Sequence, residues 1–332
     1  MRSLEVYSPR QLRRVDIELP PLEEGQVVVR VKACAICGSD LRRYREGLQD
    51  GGSFGHEFVG IVEQVYGDSG GIEIGDVVTT GLLKSCGTCQ PCLSGNPHFC
   101  EAVQATYTPG GFSDQCIVTK CDVSRTLEKI PAELPLLRAV LHEPVSCALR
   151  IVRRAQAREG DRVAIVGLGA MGVLSGLLLM HQSNGVTITG IDRSENRRTS
   201  AELCGFTVAE SGNSSSYDIV IDATGDAKAF PFSIDLARLG GTIVLAGVPE
   251  GNVHLSPLPI FRKELNIYGA KGPYPYLNDT HRSEALDFLF REDVPWEQLM
   301  HVYSFDQSKD AFADADNGMV IKAVITLHGA QK

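Results

Sequence analysis

The sequence predicts a two-part α/β protein, a β-rich, barrel-like first half followed by a doubly wound parallel sheet. Three observations predict it. Up to about residue 145, short alternating apolar runs are separated by dense Gly and Pro. Beyond that point, short continuous apolar strands alternate with helical stretches. Gly167-Leu168-Gly169-Ala170-Met171-Gly172 joins the first of those strands to its helix.

The 332 residues are enough for two domains and ample core. The net charge of −9 argues against a nucleic-acid or anionic-membrane partner. The N-terminus lacks the apolar run of a signal peptide, and the longest apolar stretch, around 173–180, is too short to span a bilayer. These features predict a cytoplasmic protein with no membrane partner. Nine of the ten cysteines precede residue 150, which in a reducing compartment places thiolate-metal chemistry, not disulfides, in the first half.

Residues 26–33 alternate apolar and polar, as a half-buried strand does, and 58–65 and 76–79 read the same way. Residues 162–166 form the first continuous apolar strand, and a helix follows over 170–181. Further parallel strands are predicted at 186–191, 218–222, 242–246 and 265–269. The tail is mixed, with helices near 281–291 and 308–314 and a strand at 320–327, and is expected to return to the first domain.

In the glycine-rich turn, Gly167 makes the tight bend, Gly169 lets backbone approach a pyrophosphate and Gly172 lets helix and strand pack closely. Ala170 and Met171 open the helix, whose N-terminus offers N–H groups to phosphates. Asp192 ends the next strand, where a carboxylate binds ribose hydroxyls and favours NAD. Arg193, Arg197 and Arg198 leave NADP open, because a guanidinium can hold the extra phosphate.

Two metal constellations are visible. Cys86, Cys89, Cys92 and Cys100 have C-x2-C-x2-C-x7-C spacing, a closed four-thiolate zinc site with no open position. Cys37-Gly38-Ser39-Asp40 and Gly55-His56-Glu57 offer sulfur, imidazole and carboxylate, a three-ligand zinc set with a fourth position for water or an alcohol. His142-Glu143-Pro144 brings another carboxylate just before the nucleotide domain. Cys34-x-x-Cys37 could instead be a redox pair, and Glu143 could be simply a charge at a helix start.

With these motifs in place, the chain resembles the zinc-dependent medium-chain dehydrogenase/reductase (alcohol dehydrogenase) family over nearly its full length. The resemblance implies a GroES-like β-rich catalytic domain over 1–148 with a structural zinc lobe at 83–101. It also implies a Rossmann NAD(P)-binding domain over 149–279 and a return to the catalytic domain over 280–332. It implies two zinc ions per chain. Cys37 and His56 would hold the catalytic ion, Glu57 would be the third ligand as in the sorbitol- and threonine-dehydrogenase-like branch, and Glu143 would approach directly or through water. Asp40 would fix the orientation of the His56 ring, and Ser39 would take the alcohol proton. Many relatives carry a proton-relaying His where this chain has Arg42, so release would run through the cofactor ribose and water. Arg42 would then meet the pyrophosphate or an anionic substrate group. A homodimer or homotetramer is also implied.

The expected reaction oxidises a secondary alcohol of a polyol, cyclitol or aminocyclitol to a ketone, with hydride passing to NAD. Lys271, Tyr274 and Tyr276 after the sixth strand, with Arg43 and Tyr44 near the metal motif, suit a polar pocket, although Pro273 and Pro275 equally suit a rigid surface loop. The rival readings are a threonine-type amino-alcohol dehydrogenase, an NADPH-dependent ketone reductase and a non-enzymatic nucleotide-binding protein.

Overall fold

The computed structural model describes residues 1–47, 54–80, 83–102, 104–105, 107–108, 110–118, 127–183, 185–272 and 279–328. Its first half is built on an eight-stranded sheet. The main path runs Leu127–Lys129, Val77–Thr80, Glu57–Tyr66, Gln26–Ala35, Lys322–Thr326, Met300–Ser304. The central strand Gln26–Ala35 is paired along both edges. Glu57–Tyr66 covers one edge. Gln115–Val118 meets the first part of the other edge and Lys322–Thr326 its last three residues. The strand was expected to be half-buried, yet Val27, Val28, Val29 and Val31 are all buried. Partners on both edges and core on both faces leave little of it for water.

The C-terminal segment crosses back into this sheet. Met300–Ser304 and Lys322–Thr326 run parallel, joined through the helix Ser308–Asp316. Phe312 on that helix lies 5.3 Å from the Tyr44 ring, 5.5 Å from Phe54 and 5.4 Å from Phe112, measured between ring centres. Truncating such a buried aromatic costs about 3–5 kcal/mol. This cluster fastens the last fifty residues to the first hundred.

The second half is a six-stranded, all-parallel sheet in the order Thr207–Ala209, Thr187–Ile191, Arg162–Val166, Tyr217–Asp222, Ala237–Leu245, Asn266–Gly269. The doubly wound parallel class is as read from the sequence, the edge strand Thr207–Ala209 was not expected, and apolar clusters lie on both faces. Strand order reverses between Arg162–Val166 and Tyr217–Asp222, so a crevice opens at their C-terminal ends. The helix His142–Ala155 leads into this half and runs unbroken through residues 148 and 149. It packs mainly on Ala170–Gln182 and Asp279–Leu289. None of the described helices is long and apolar enough to cross a membrane.

Candidate active site and metal centres

The strand Gln26–Ala35 ends just before Cys37, which caps the helix Gly38–Glu46 with extended backbone angles. Asp40, one turn on, is buried and tied to two backbones. Its Oδ2 accepts the Cys37 N–H at 2.9 Å and its Oδ1 the Gly55 N–H at 3.1 Å. Asp40 therefore fixes the backbones that carry Cys37 and His56; its two hydrogen bonds go to main chain and not to the imidazole. Gly55 sits at φ +81°, and a Cβ there would come within 2.6 Å of the Phe112 ring, so only glycine fits before His56.

Glu57 pairs in register with Ala35, which brings it beside Cys37. One Cys37, His56 and Glu57 donor atom each lie within 4.8 Å of one another. Glu143, in the first turn of His142–Ala155, places Oε1 4.0 Å from His56 Nε2 and accepts the Cys147 thiol at 3.5 Å. His56, Glu57 and Glu143 are all buried. The base of the pocket is closed by Lys322, whose Nζ donates to both Glu57 oxygens and to the Ile36 carbonyl.

The electrostatics of this pocket favour a cation. Burial is the strongest single effect and opposes a charge on His56, but the Cys37 sulfur, Asp40 and Glu143 together overcome it, so the ring's pKa is held well above the usual value. Lys322 is likewise kept charged against burial by Glu57. A site that draws protons this strongly, and that offers sulfur, imidazole and carboxylate, suits a dication such as zinc.

The second constellation converges too. Sulfur-to-sulfur distances are 3.4 Å for Cys89–Cys92, 3.6 Å for Cys86–Cys100, 3.8 Å for Cys89–Cys100 and 4.0 Å for Cys86–Cys92. Tetrahedral zinc with Zn–S bonds of about 2.3 Å puts its sulfurs about 3.8 Å apart. A disulfide would need about 2.05 Å, and these four are free thiols. Donation from Thr88 and the Cys89 N–H holds the Cys86 thiol down to about 6, ready to bind metal.

In the nucleotide half, Gly167 has φ +93° and packs on the Thr224 backbone, and a Cβ on Gly172 would lie 2.0 Å from the Gly167 carbonyl. Gly169 caps the helix Ala170–Gln182, and a Cβ there would meet nothing within 4 Å, which leaves room for a phosphate. Asp192 accepts the Leu168 N–H at 2.8 Å and the Ser194 N–H at 2.8 Å. Each oxygen keeps a lone pair for a ribose hydroxyl. Arg198 is turned to the Asp192 and Arg193 carbonyls, and Arg197 lies 3.7 Å from Asp192 and packs against Gly318. Only Arg193 remains exposed. Next to the glycine turn, a cavity of about 100 Å³ is lined by Asp222, Thr224, Gly225, Gly247 and Pro249. Asp222 accepts from Thr224 and Ser233 within it.

Several expected positions differ. Tyr44 is not in a polar pocket, because its ring is buried against Phe312. Arg42 pairs with Glu46 at 3.0 Å on the exposed face of its own helix. Lys271 reaches the His98 carbonyl of the cysteine lobe at 3.4 Å. Ser39 is exposed beside Cys37, and Arg43 is half-buried. Tyr274 and Tyr276 lie outside the described residues. Lys322 and Cys147 carry no local sequence signal and were missed. Only the i, i+4 spacing of Cys147 from Glu143 could have raised it.

Residues 23–131 match the alcohol dehydrogenase GroES-like domain, and residues 167–291 match the zinc-binding dehydrogenase domain. The chain is 31% identical over 279 residues to D-altritol 5-dehydrogenase of Agrobacterium fabrum, covering 78% of this chain and 81% of that protein. The structure of the alcohol dehydrogenase RspB from Escherichia coli CFT073 with NADH superposes with a TM-score of 0.83 at 27% identity, over 98% of this chain and 99% of that one. A zinc-binding dehydrogenase from Sinorhizobium meliloti 1021 bound to NADP gives 0.83 at 25% identity, over 98% of each. The sulfur-imidazole-carboxylate pocket, the four-thiol lobe and the glycine turn thus belong to one lineage, and the chain is a member of the zinc-dependent medium-chain alcohol dehydrogenase family, a nicotinamide-linked oxidoreductase.

Proposed function

We propose that this chain oxidises a secondary hydroxyl of a polyol, a cyclitol or an aminocyclitol to a ketone, with NAD as acceptor. The observation that carries the reading is the convergence of Cys37, His56 and Glu57, with Glu143 beside them, in a buried pocket of the cation-seeking kind. In this reading Cys37 and His56 hold the catalytic zinc, with Glu57 or Glu143 completing the set. Cys86, Cys89, Cys92 and Cys100 hold a second, structural ion.

Zinc bound there supplies Lewis-acid polarisation that makes a coordinated hydroxyl more acidic. Ser39, exposed two residues beyond Cys37, accepts that proton. Asp40 keeps the Cys37 and Gly55 backbones in register so that the two ligand segments stay matched. Asp192 orients the cofactor through its ribose, and the Gly167–Gly172 turn seats the pyrophosphate. That placement directs the nicotinamide face to the substrate carbon. With Arg42 held by Glu46 and permanently protonated, the ribose of a bound cofactor and water would carry that proton out.

Support for NAD comes from Asp192, whose carboxylate repels a 2′-phosphate, and from Arg198 being turned to the Asp192 and Arg193 carbonyls. Support for a polyol comes from a relative named for a polyol. The test is initial-rate assay of hexitols, inositols, aminocyclitols, L-threonine and ethanol with NAD and with NADP, in wild type and Cys37→Ser. Polyol turnover with NAD that disappears in Cys37→Ser, with NAD binding retained, is expected. Faster turnover of ethanol or threonine, or full activity in the variant, would reverse the reading.

A further inference from the structure

The helix His142–Ala155 carries Glu143, Cys147, Arg150 and Arg154 at i, i+4, i+7 and i+11, so all four share one face. The stripe starts at the metal pocket, where Glu143 faces His56. At 1.5 Å per residue, Arg150 stands about 10 Å further along the helix. There the chemistry changes sign. Arg150 is only 7% exposed, and its Nη2 lies 2.9 Å from Nε2 of His98, which is 3% exposed. A guanidinium only donates, so His98 Nε2 is the acceptor and the ring is neutral with its proton on Nδ1. That Nδ1 and Arg150 Nε are both buried without a hydrogen-bond partner.

Lys271 closes the group from the end of the last parallel strand, with its Nζ 3.4 Å from the His98 carbonyl. Burial and the neighbouring Arg154 and Arg153 weigh against the Arg150 charge. Among the described residues no carboxylate forms an ion pair with Arg150, Arg154 or Lys271. A chain with net charge −9 has gathered cations at one place, and no described residue supplies the anion. Such a group is costly unless something negative completes it. Cys147 and Arg154 are half-buried and Lys271 is exposed, so the stripe is reachable from outside.

The geometry points to an anion subsite: Arg150, Arg154 and Lys271, with neutral His98, receive the phosphate or carboxylate of a charged polyol whose carbinol carbon lies at the Cys37–His56 pocket. This assignment rests on the polyol-oxidation reading for its carbinol end, and on the cation cluster alone for its anionic end. No covalent step is involved. The subsite raises affinity and fixes which carbon meets the metal.

Two measurements test it on the zinc-loaded full chain. The first is calorimetric titration with inorganic phosphate, in wild type and in Arg154→Gln/Lys271→Gln, two accessible positions that leave buried Arg150 in place. Binding that weakens roughly tenfold or more in the double variant is expected, from the loss of charge-assisted hydrogen bonds. The second is kcat/KM for a hexitol, its terminal phosphate ester and the six-carbon sugar acid. One charged form is expected to exceed the neutral hexitol roughly tenfold or more, and that ratio to collapse in the double variant. The ester and acid arms tell phosphate from carboxylate. Absence of phosphate binding in wild type, equal binding in the variant, or an unchanged ratio overturns the subsite. Phosphate binding lost in the variant, with no polyol turned over by either protein, supports the subsite and overturns the oxidation reading instead.

Discussion

Lys322 Nζ lies 2.8 Å from Oε1 and 2.5 Å from Oε2 of Glu57, a residue 265 positions earlier in the chain. Both are buried, at 5% and 1% exposure. The C-terminal strand thereby places a cation behind the metal pocket, and Glu57 is shared between that cation and any ion in front of it. Lys322→Met should leave Glu57 a buried, unpaired charge and cost about 3–5 kcal/mol in the metal-free protein. Zinc should recover part of the loss, because a dication then faces the stranded carboxylate. Urea unfolding with and without chelator checks this; equal stability of variant and wild type without metal would contradict it.

The two metal sites should separate by mutation. Elemental analysis is expected to give two zinc ions per chain in wild type and one in each of Cys37→Ser and Cys89→Ser. Cys37→Ser should also lose turnover. Cys89→Ser breaks the lobe whose sulfurs sit 3.4 Å to 4.0 Å apart, so its defect should appear first in thermal stability. Both ions retained in either variant would dismiss the corresponding site.

Asp192 should decide the cofactor. Its carboxylate is held by Leu168 and Ser194, with exposed Arg193 adjoining. Asp192→Ala removes the ribose acceptor and the repulsion of a 2′-phosphate together. The ratio of kcat/KM for NADP over NAD should rise about tenfold or more. An unchanged ratio would place cofactor choice elsewhere.

Acid stability should depend on Asp218, which accepts from Arg238 and Arg162 and so ties neighbouring strands of the parallel sheet. Burial acts to raise this carboxyl, but the Arg238 and Arg162 hydrogen bonds prevail and hold it down to about 2. A depressed folded-state value stabilises above the unfolded value near 4 and is lost as pH falls from about 4 towards 2. Allowing for solvent screening, its contribution is about 1 kcal/mol. Asp218→Asn should therefore be less stable than wild type at pH 7 and converge with it near pH 2. A constant gap across that range would refute the pairing.

How legible was all this in the sequence? The parallel sheet was plain, because its strands are continuous apolar runs and Gly167–Gly172 marks the first crossover. Cys37, His56 and Glu57 could be picked out because each sits in a short motif of metal-binding residue types. Lys322 could not, since one lysine in a C-terminal strand carries no local signature and gains meaning only when that strand docks on Gln26–Ala35. Tyr44 was misread for the converse reason. Its neighbours are charged, but its ring belongs to the Phe54–Phe112–Phe312 cluster, assembled from distant segments. The stripe from Glu143 to Arg154 follows helical spacing, yet its partner His98 lies in the lobe, where spacing says nothing of contact.

The continuous helix His142–Ala155 has a mechanical consequence. Its body packs chiefly on helices Ala170–Gln182 and Asp279–Leu289, while its start shares a core with Ala33, Ala35 and Val59 of the sheet that carries Cys37 and His56. Glu143 therefore sits where the two cores join, 4.0 Å from the imidazole. A rotation of one half against the other would have to pass through this helix, and would change the spacing of Glu143 from His56 as it did so.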